Sequence, residues 1–130
     1  MFDRIEVAAG VVKNAEGRYL ICRRKGELEG KWEFPGGKRE RSETFQQCLE
    51  RELMEELELP VTAGESLGSV LRRDGDRTIW LVFVSAEVSG NASLCLHVHG
   101  DAAWVLPEEM ENYEFCPADK AFIKQYLLAE

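Results

Sequence analysis

Apolar and polar positions alternate with two different periods along the chain, and the switches between them mark out the elements. Residues 5–12 (Ile-Glu-Val-Ala-Ala-Gly-Val-Val) are rich in β-formers, and Asn14-Ala15-Glu16-Gly17 reads as a turn. Residues 18–24, carrying Tyr19-Leu20-Ile21-Cys22, predict a second strand, so the chain opens on a hairpin. Trp32-Glu33-Phe34-Pro35-Gly36-Gly37 is a short extended piece, stopped by proline and two glycines. The period then changes. Phe45, Leu49, Leu53 and Leu57 recur every four residues behind a Thr44–Gln47 capping-box pair, which predicts a helix over 44–57. Residues 67–73 and 78–88 flank Asp74-Gly75-Asp76 as a second hairpin, and 94–97 and 102–106 are shorter strand candidates. Pro117 suits the first position of a closing helix that runs to about residue 128. The order of strands, helix, strands, helix predicts an α+β fold, a mixed sheet packed between helices.

Length and composition narrow the class. At 130 residues the chain fits a single domain, 1–130, with one core. Hydrophobic residues make up 45% and charged residues 31%, which is ordinary for a folded protein. No apolar run approaches the ~20 residues that span a bilayer, and Met1-Phe2-Asp3-Arg4 opens no secretory apolar stretch. The expectation is a cytoplasmic protein with no membrane partner. The formal net charge is −8, and the short basic runs Arg23-Arg24-Lys25 and Arg72-Arg73 form no stripe, which argues against a nucleic-acid polymer as partner. Excess carboxylate instead suits a site that gathers a hard divalent cation. Cys22, Cys48, Cys95 and Cys116 are widely spaced without a Cys-x-x-Cys pair, and read as reduced, mostly buried thiols.

The stretch that carries chemistry is 37–59, GKRERSETFQQCLERELMEELEL. On a helix, Glu52, Glu55 and Glu56 stand at i, i+3 and i+4 and fall within an arc of roughly 100°. Like charges at this spacing cost a few tenths of a kcal/mol per pair, and a cation held by oxygen ligands offsets that cost. A Glu run is commonly a solvated acidic face. Here the acids share their arc with Phe45, Cys48 and Leu49, which belong to the core, as they do when a helix runs from a core into a cleft.

These residues resemble the signature of the Nudix hydrolase family. That signature runs Gly, five residues, Glu, seven residues, Arg-Glu, an aliphatic residue, any residue, Glu-Glu, any residue, Gly, and an aliphatic residue. The chain has Gly37, Glu43, Arg51-Glu52, Leu53, Glu55-Glu56 and Leu59 in those places. Glu58 stands where the family has Gly, which at a helix end takes a left-handed conformation; a side chain there costs on the order of 1 kcal/mol. The resemblance implies a Nudix-type α/β/α sandwich. It implies that Glu52, Glu55 and Glu56 hold Mg²⁺, with Mn²⁺ as a substitute, and that Gly36 or Gly37 adds a backbone carbonyl. It further implies that Arg51 pairs with Glu43 and ties the helix to the preceding loop.

Within the family the chain is similar to the MutT-like branch, which includes CTP pyrophosphohydrolases. The similarity runs through Trp32-Glu33-Phe34-Pro35-Gly36-Gly37-Lys38, Arg23, Arg77, and Cys116-Pro117-Ala118-Asp119. It implies substrate contacts from Arg23, Phe34, Lys38 and Arg77, and a base-reading role for Asp119, where the branch has Asn or Asp. Many members carry a Glu six residues before the position of Trp104; this chain has Val98 there, between His97 and His99, with Asp101 close by. The implied reaction is Mg²⁺-dependent hydrolysis of a nucleoside triphosphate to the monophosphate and pyrophosphate. The implied substrates are 8-oxo-dGTP first and CTP or 5-substituted dCTP second, with the protein a monomer or homodimer. Two other readings remain open: a nucleotide-sensing module with little turnover, and a Nudix hydrolase of ADP-ribose or NADH.

Overall fold

The computed structural model of the chain describes residues 3–26, 28–90 and 93–128. Its frame is a mixed sheet. The opening hairpin forms as expected from β1 (Asp3–Lys13) and β2 (Tyr19–Arg23), antiparallel with Lys13 opposite Tyr19. Two short strands follow, β3 (Trp32–Glu33) and β4 (Gly36–Lys38), separated by Phe34-Pro35. β3 pairs with β2, while β4 pairs with β1 so that Ala8 lies opposite Gly37. Then come β5 (Val61–Asp74), β6 (Arg77–Val88) and β7 (Asp101–Val105). The sheet order is β3-β2-β1-β6-β5, with β4 on β1 and β7 on β2. β6 lies parallel to β1 from Asp3↔Arg77 to Lys13↔Glu87, and the remaining pairings are antiparallel.

Helix α1 (Phe45–Leu57) begins where its capping signal places it: the Thr44 hydroxyl accepts from Gln47 N–H while the Gln47 side chain accepts from Thr44 N–H. Its Cys48, Leu49, Leu53 and Leu57 are fully buried and pack with Ala8, Val12, Leu20, Val82 and Val84 on one face of the sheet. The opposite face carries Ala9, Val11, Ile21, Phe34 and Phe83 against Phe122 and Ile123 of the C-terminal segment. Successive residues of β1 point to opposite faces, so this one strand feeds both cores. The expected sandwich of a mixed sheet between helices is the observed one.

Three local expectations need correction. Residues 94–97 do not form a strand; they run alongside the end of α1, with Cys95 N–H donating to Leu57 O at 3.0 Å and His97 N–H to Glu56 O at 3.1 Å. β5 begins six residues earlier than expected, because register shifts between Ala63, Ser66 and Gly68 hide its alternation. The closing helix α2 (Pro117–Phe122) starts at proline as expected but widens into a π-type turn over Ile123–Leu127, and a 3₁₀ turn, Pro107–Asn112, precedes it. Glu58 takes the left-handed conformation required at the end of α1, with φ 53° and ψ 37°. Cys22, Cys48 and Cys116 are buried free thiols and Cys95 is exposed. Among the described residues no helix is long and apolar enough to cross a membrane.

Candidate active site

The loop between β4 and α1 is tied down by one arginine. Arg51 Nε and Nη2 donate to the two Glu43 carboxylate oxygens at 3.0 and 2.5 Å, a fork-to-fork pair. Its remaining donors reach Lys38 O at 3.1 Å, Glu52 Oε1 at 3.0 Å and Glu55 Oε1 at 3.2 Å. The guanidinium holds the Glu43 carboxyl down at about 2, far below the usual carboxylate range. Arg51 therefore fixes the loop to the helix and collects two of the helix glutamates on its inner edge.

Glu56, beside Glu52, lines a cleft of about 310 Å³ whose wall includes Arg24, Lys25, Gly36, Gly37, Lys38 and Asp119. Its Oε1 is buried without a hydrogen-bond partner. Burial, reinforced by the Glu52 carboxylate, pushes its carboxyl up to about 8. A buried carboxylate oxygen left without a partner beside other carboxylates fits a cation ligand. The donor set on this face is entirely oxygen, the set that suits Mg²⁺. The three glutamates share the face without closing on one point: Arg51 holds Glu52 and Glu55, and Glu52 also stays beside Glu56. Gly37 lies hard against them: a Cβ there would sit 2.3 Å from the Glu52 carboxylate carbon, and one on Gly36 would sit 1.8 Å from Ala8 O. Packing against the Ala8 backbone requires Gly36, whereas a side chain on Gly37 would displace the Glu52 carboxylate.

The far wall is aromatic and acidic. Phe34 is buried edge-on against Phe83 and Phe122, and its N–H donates to Asp119 Oδ1 at 2.9 Å. Asp119 is buried at the cleft wall, and burial pushes its carboxyl up to about 7. Of the expected site residues, Glu56, Gly36, Gly37, Phe34, Lys38 and Asp119 line the cleft, while Arg51 and Glu43 brace it from behind. Glu52 and Glu55 stand on the adjoining helix face, on Arg51. Two further expected residues, both substrate candidates, also stand off the cleft lining. Arg23 is exposed, with Gly100 O accepting from its guanidinium at 3.5 Å, and Arg77 pairs with Asp74 at 2.9 Å in the β5–β6 hairpin.

Of the polar residues of the cleft wall, Arg24, Lys25 and Glu33 were given no role from the sequence, and His99 was noted only as a neighbour of Val98. Arg24 pairs with Glu33 at 2.8 Å, and the other Glu33 oxygen meets His99 Nε2 at 3.0 Å. His99 is 5% exposed, and its Nδ1 is buried without a partner. The pairing of β2 with β3, which sets Cys22 opposite Glu33, and the return of the chain to Arg23 O through Gly100 N–H assemble this row. Val98 also lines the cleft, so no carboxylate replaces it at that position.

The family description "NUDIX domain" matches residues 3–126. The chain belongs to the NUDIX family. This Nudix chain is 35% identical over 126 residues to the CTP pyrophosphohydrolase of Escherichia coli K12, covering 95% of this chain and 91% of that protein. It is 42% identical over 82 residues to the 8-oxo-dGTP diphosphatase of Proteus vulgaris, covering 62% of this chain and 73% of that one. It superposes on the crystal structure of the MutT protein from Methanosarcina mazei Go1 with a TM-score of 0.82 at 25% identity, covering 95% of this chain and 93% of that chain. The Nudix architecture therefore belongs to a hydrolase family.

Proposed function

We propose that this Nudix hydrolase is a Mg²⁺-dependent nucleoside triphosphate pyrophosphohydrolase of the MutT type. It cleaves an oxidised or non-canonical nucleotide, 8-oxo-dGTP first and CTP or 5-substituted dCTP second, to the monophosphate and pyrophosphate. The observation that carries this reading is the buried, unpartnered Glu56 oxygen facing a cleft with Lys25 and Lys38 on its rim and Asp119 in its wall. The names of the two enzyme relatives support the substrate class.

Glu52, Glu55 and Glu56 would hold the cation, with a backbone carbonyl from Gly36 or Gly37. Bound there, Mg²⁺ (or Mn²⁺ in its place) offsets phosphoanhydride charge and makes water a better nucleophile. The chain's own groups supply the rest. Lys38 and Lys25 bring positive charge to the mouth of the cleft, where a polyphosphate is drawn in and oriented. Arg51 keeps Glu52 and Glu55 on the helix face, and Glu43 keeps Arg51 in place. Phe34 offers an apolar wall, and Asp119, fixed by the Phe34 N–H, presents its other oxygen to a base edge. Arg23 and Arg77 serve substrate only if a nucleotide extends beyond the cleft walls.

A panel of nucleoside triphosphates incubated with Mg²⁺ tests the reaction. Pyrophosphate should appear with the monophosphate, and release of orthophosphate alone, or of nothing, would contradict it. Gly37→Ala is expected to weaken Mg²⁺ binding by about tenfold or more, because the new methyl displaces the Glu52 carboxylate. Calorimetric titration of the variant reads this directly.

Asp119 makes the site sensitive to pH. Its carboxyl sits at about 7 in the fold, against about 4 in an unfolded chain. The folded state thus keeps a proton that the unfolded state loses, so this group's contribution to stability is full below pH 4 and is lost as pH rises to 7. Asp119→Asn preserves an acceptor for the Phe34 N–H and removes the titration. Its denaturation midpoint should fall less than the parent's between pH 5 and 7. A base read by a donated proton should show a KM that climbs through pH 7 in the parent and stays level in Asp119→Asn.

A further inference from the structure

We infer that Glu58, Cys95 and His97 form a second cation site, on the surface, for a thiophilic divalent ion of the Zn²⁺ type. Each of the three offers one ligand atom, and these atoms lie within 4.8 Å of one another. A tetrahedral ion with ligands at about 2.0–2.3 Å needs ligand atoms roughly 3.3–3.8 Å apart, so small side-chain rotations close the site. Glu58 Oε2 and His97 Nε2 already stand 2.6 Å apart.

The backbone beneath is fixed before any ion arrives. Glu58 caps α1, its N–H reaching the carbonyls of Leu53 and Met54. Cys95 and His97 are stitched to the same helix end through Leu57 O and Glu56 O. Spaced i and i+2 on an extended segment, their side chains leave on one side, towards Glu58. Such an arrangement loses little conformational freedom on binding, and all three side chains are open to solvent, which leaves a fourth position for water. An ion pair of Glu58 with His97 accounts for two of the groups but not for the thiol, which closes onto the same Glu58 carboxylate.

The donor set separates this site from the glutamate face. Sulfur and imidazole nitrogen suit Zn²⁺ and its neighbours, whereas Mg²⁺ takes oxygen ligands and binds thiols poorly. On binding, the Cys95 S–H proton leaves to solvent and the thiolate takes the ion, with no change of oxidation state. The ion would clip segment 94–99, which brings Val98 and His99 to the cleft wall, to the helix end that carries Glu56. The inference does not depend on the nucleotide chemistry.

The test is a Zn²⁺ titration of the full chain against a chromophoric chelator, with Mg²⁺ saturating, alongside Co²⁺ spectra. The parent should bind one Zn²⁺ equivalent and give a thiolate-to-Co²⁺ charge-transfer band. Cys95→Ser should abolish the band, and both Cys95→Ser and His97→Ala should weaken Zn²⁺ at least about tenfold. Hydrolysis by Cys95→Ser with Mg²⁺ alone should match the parent. A parent that binds no Zn²⁺, variants that bind it as tightly as the parent, or a band that survives Cys95→Ser would overturn the inference.

Discussion

Glu56→Gln should lower kcat on the preferred nucleotide by about 10²–10³-fold while leaving the fold intact. The rate loss follows from removing one anionic oxygen ligand from the cation that offsets phosphoanhydride charge, an effect worth about 3–4 kcal/mol in the transition state. The fold should tolerate the change because burial and Glu52 hold the carboxyl at about 8, so the folded protein at pH 7 already carries a mostly neutral group there. A carboxamide of the same shape replaces it without exposing a buried charge, and the stability change should stay within roughly 1 kcal/mol. Steady-state kinetics and a thermal melt on one preparation check both halves. A variant with kcat within threefold of the parent would remove Glu56 from the chemistry.

Arg51→Ala should do the opposite, costing stability as well as rate. The arginine neutralises Glu43 and Glu52, whose side chains are each 14% exposed, while its own side chain is 26% exposed. Breaking a fully buried pair costs about 3–5 kcal/mol. Partial exposure here lowers the figure to about 2–3 kcal/mol, or roughly 10 °C in the melting midpoint of a domain this size. Lowering the pH towards 2, where Glu43 takes up a proton, should narrow the gap between variant and parent, since the pair is then lost from both. Arg51→Lys should recover only part of the loss, because an ammonium cannot repeat the two-pronged contact with Glu43 or reach Glu52, Glu55 and Lys38 O together.

The parts of the fold written in local pattern were legible. Helix α1 announces itself by a capping box and a four-residue apolar interval, and both cap hydrogen bonds form. The Glu43–Arg51 pair was legible only through the family resemblance, since the chain between the two positions hides the contact. Other features depend on placement in space. Arg23 ends the second strand and Arg24 follows it, and side-chain alternation sends neighbours to different sides; nothing local says which one faces the cleft. The cleft wall of Glu33, Arg24 and His99 needs the β2–β3 register, and the long first half of β5 is masked by Gly64, Glu65 and Ser66 around its register shifts. Residues 94–97 alternate like a strand, yet their hydrogen bonds go to the carbonyls at the end of α1, left open as at any helix C-terminus. Glu58, a departure from the family pattern, adopts the family's left-handed geometry and gains a contact with His97 that glycine could not make.

The inner face of α1 is expected to bind a hard divalent cation. Calorimetric titration of the parent and of a Glu52→Gln, Glu56→Gln double variant with Mg²⁺, at pH 8 and before any nucleotide is added, addresses it most directly. The parent should bind Mg²⁺ saturably and the double variant should not, with both proteins folded. Equal heats from the two, or no saturable binding by the parent, would contradict it.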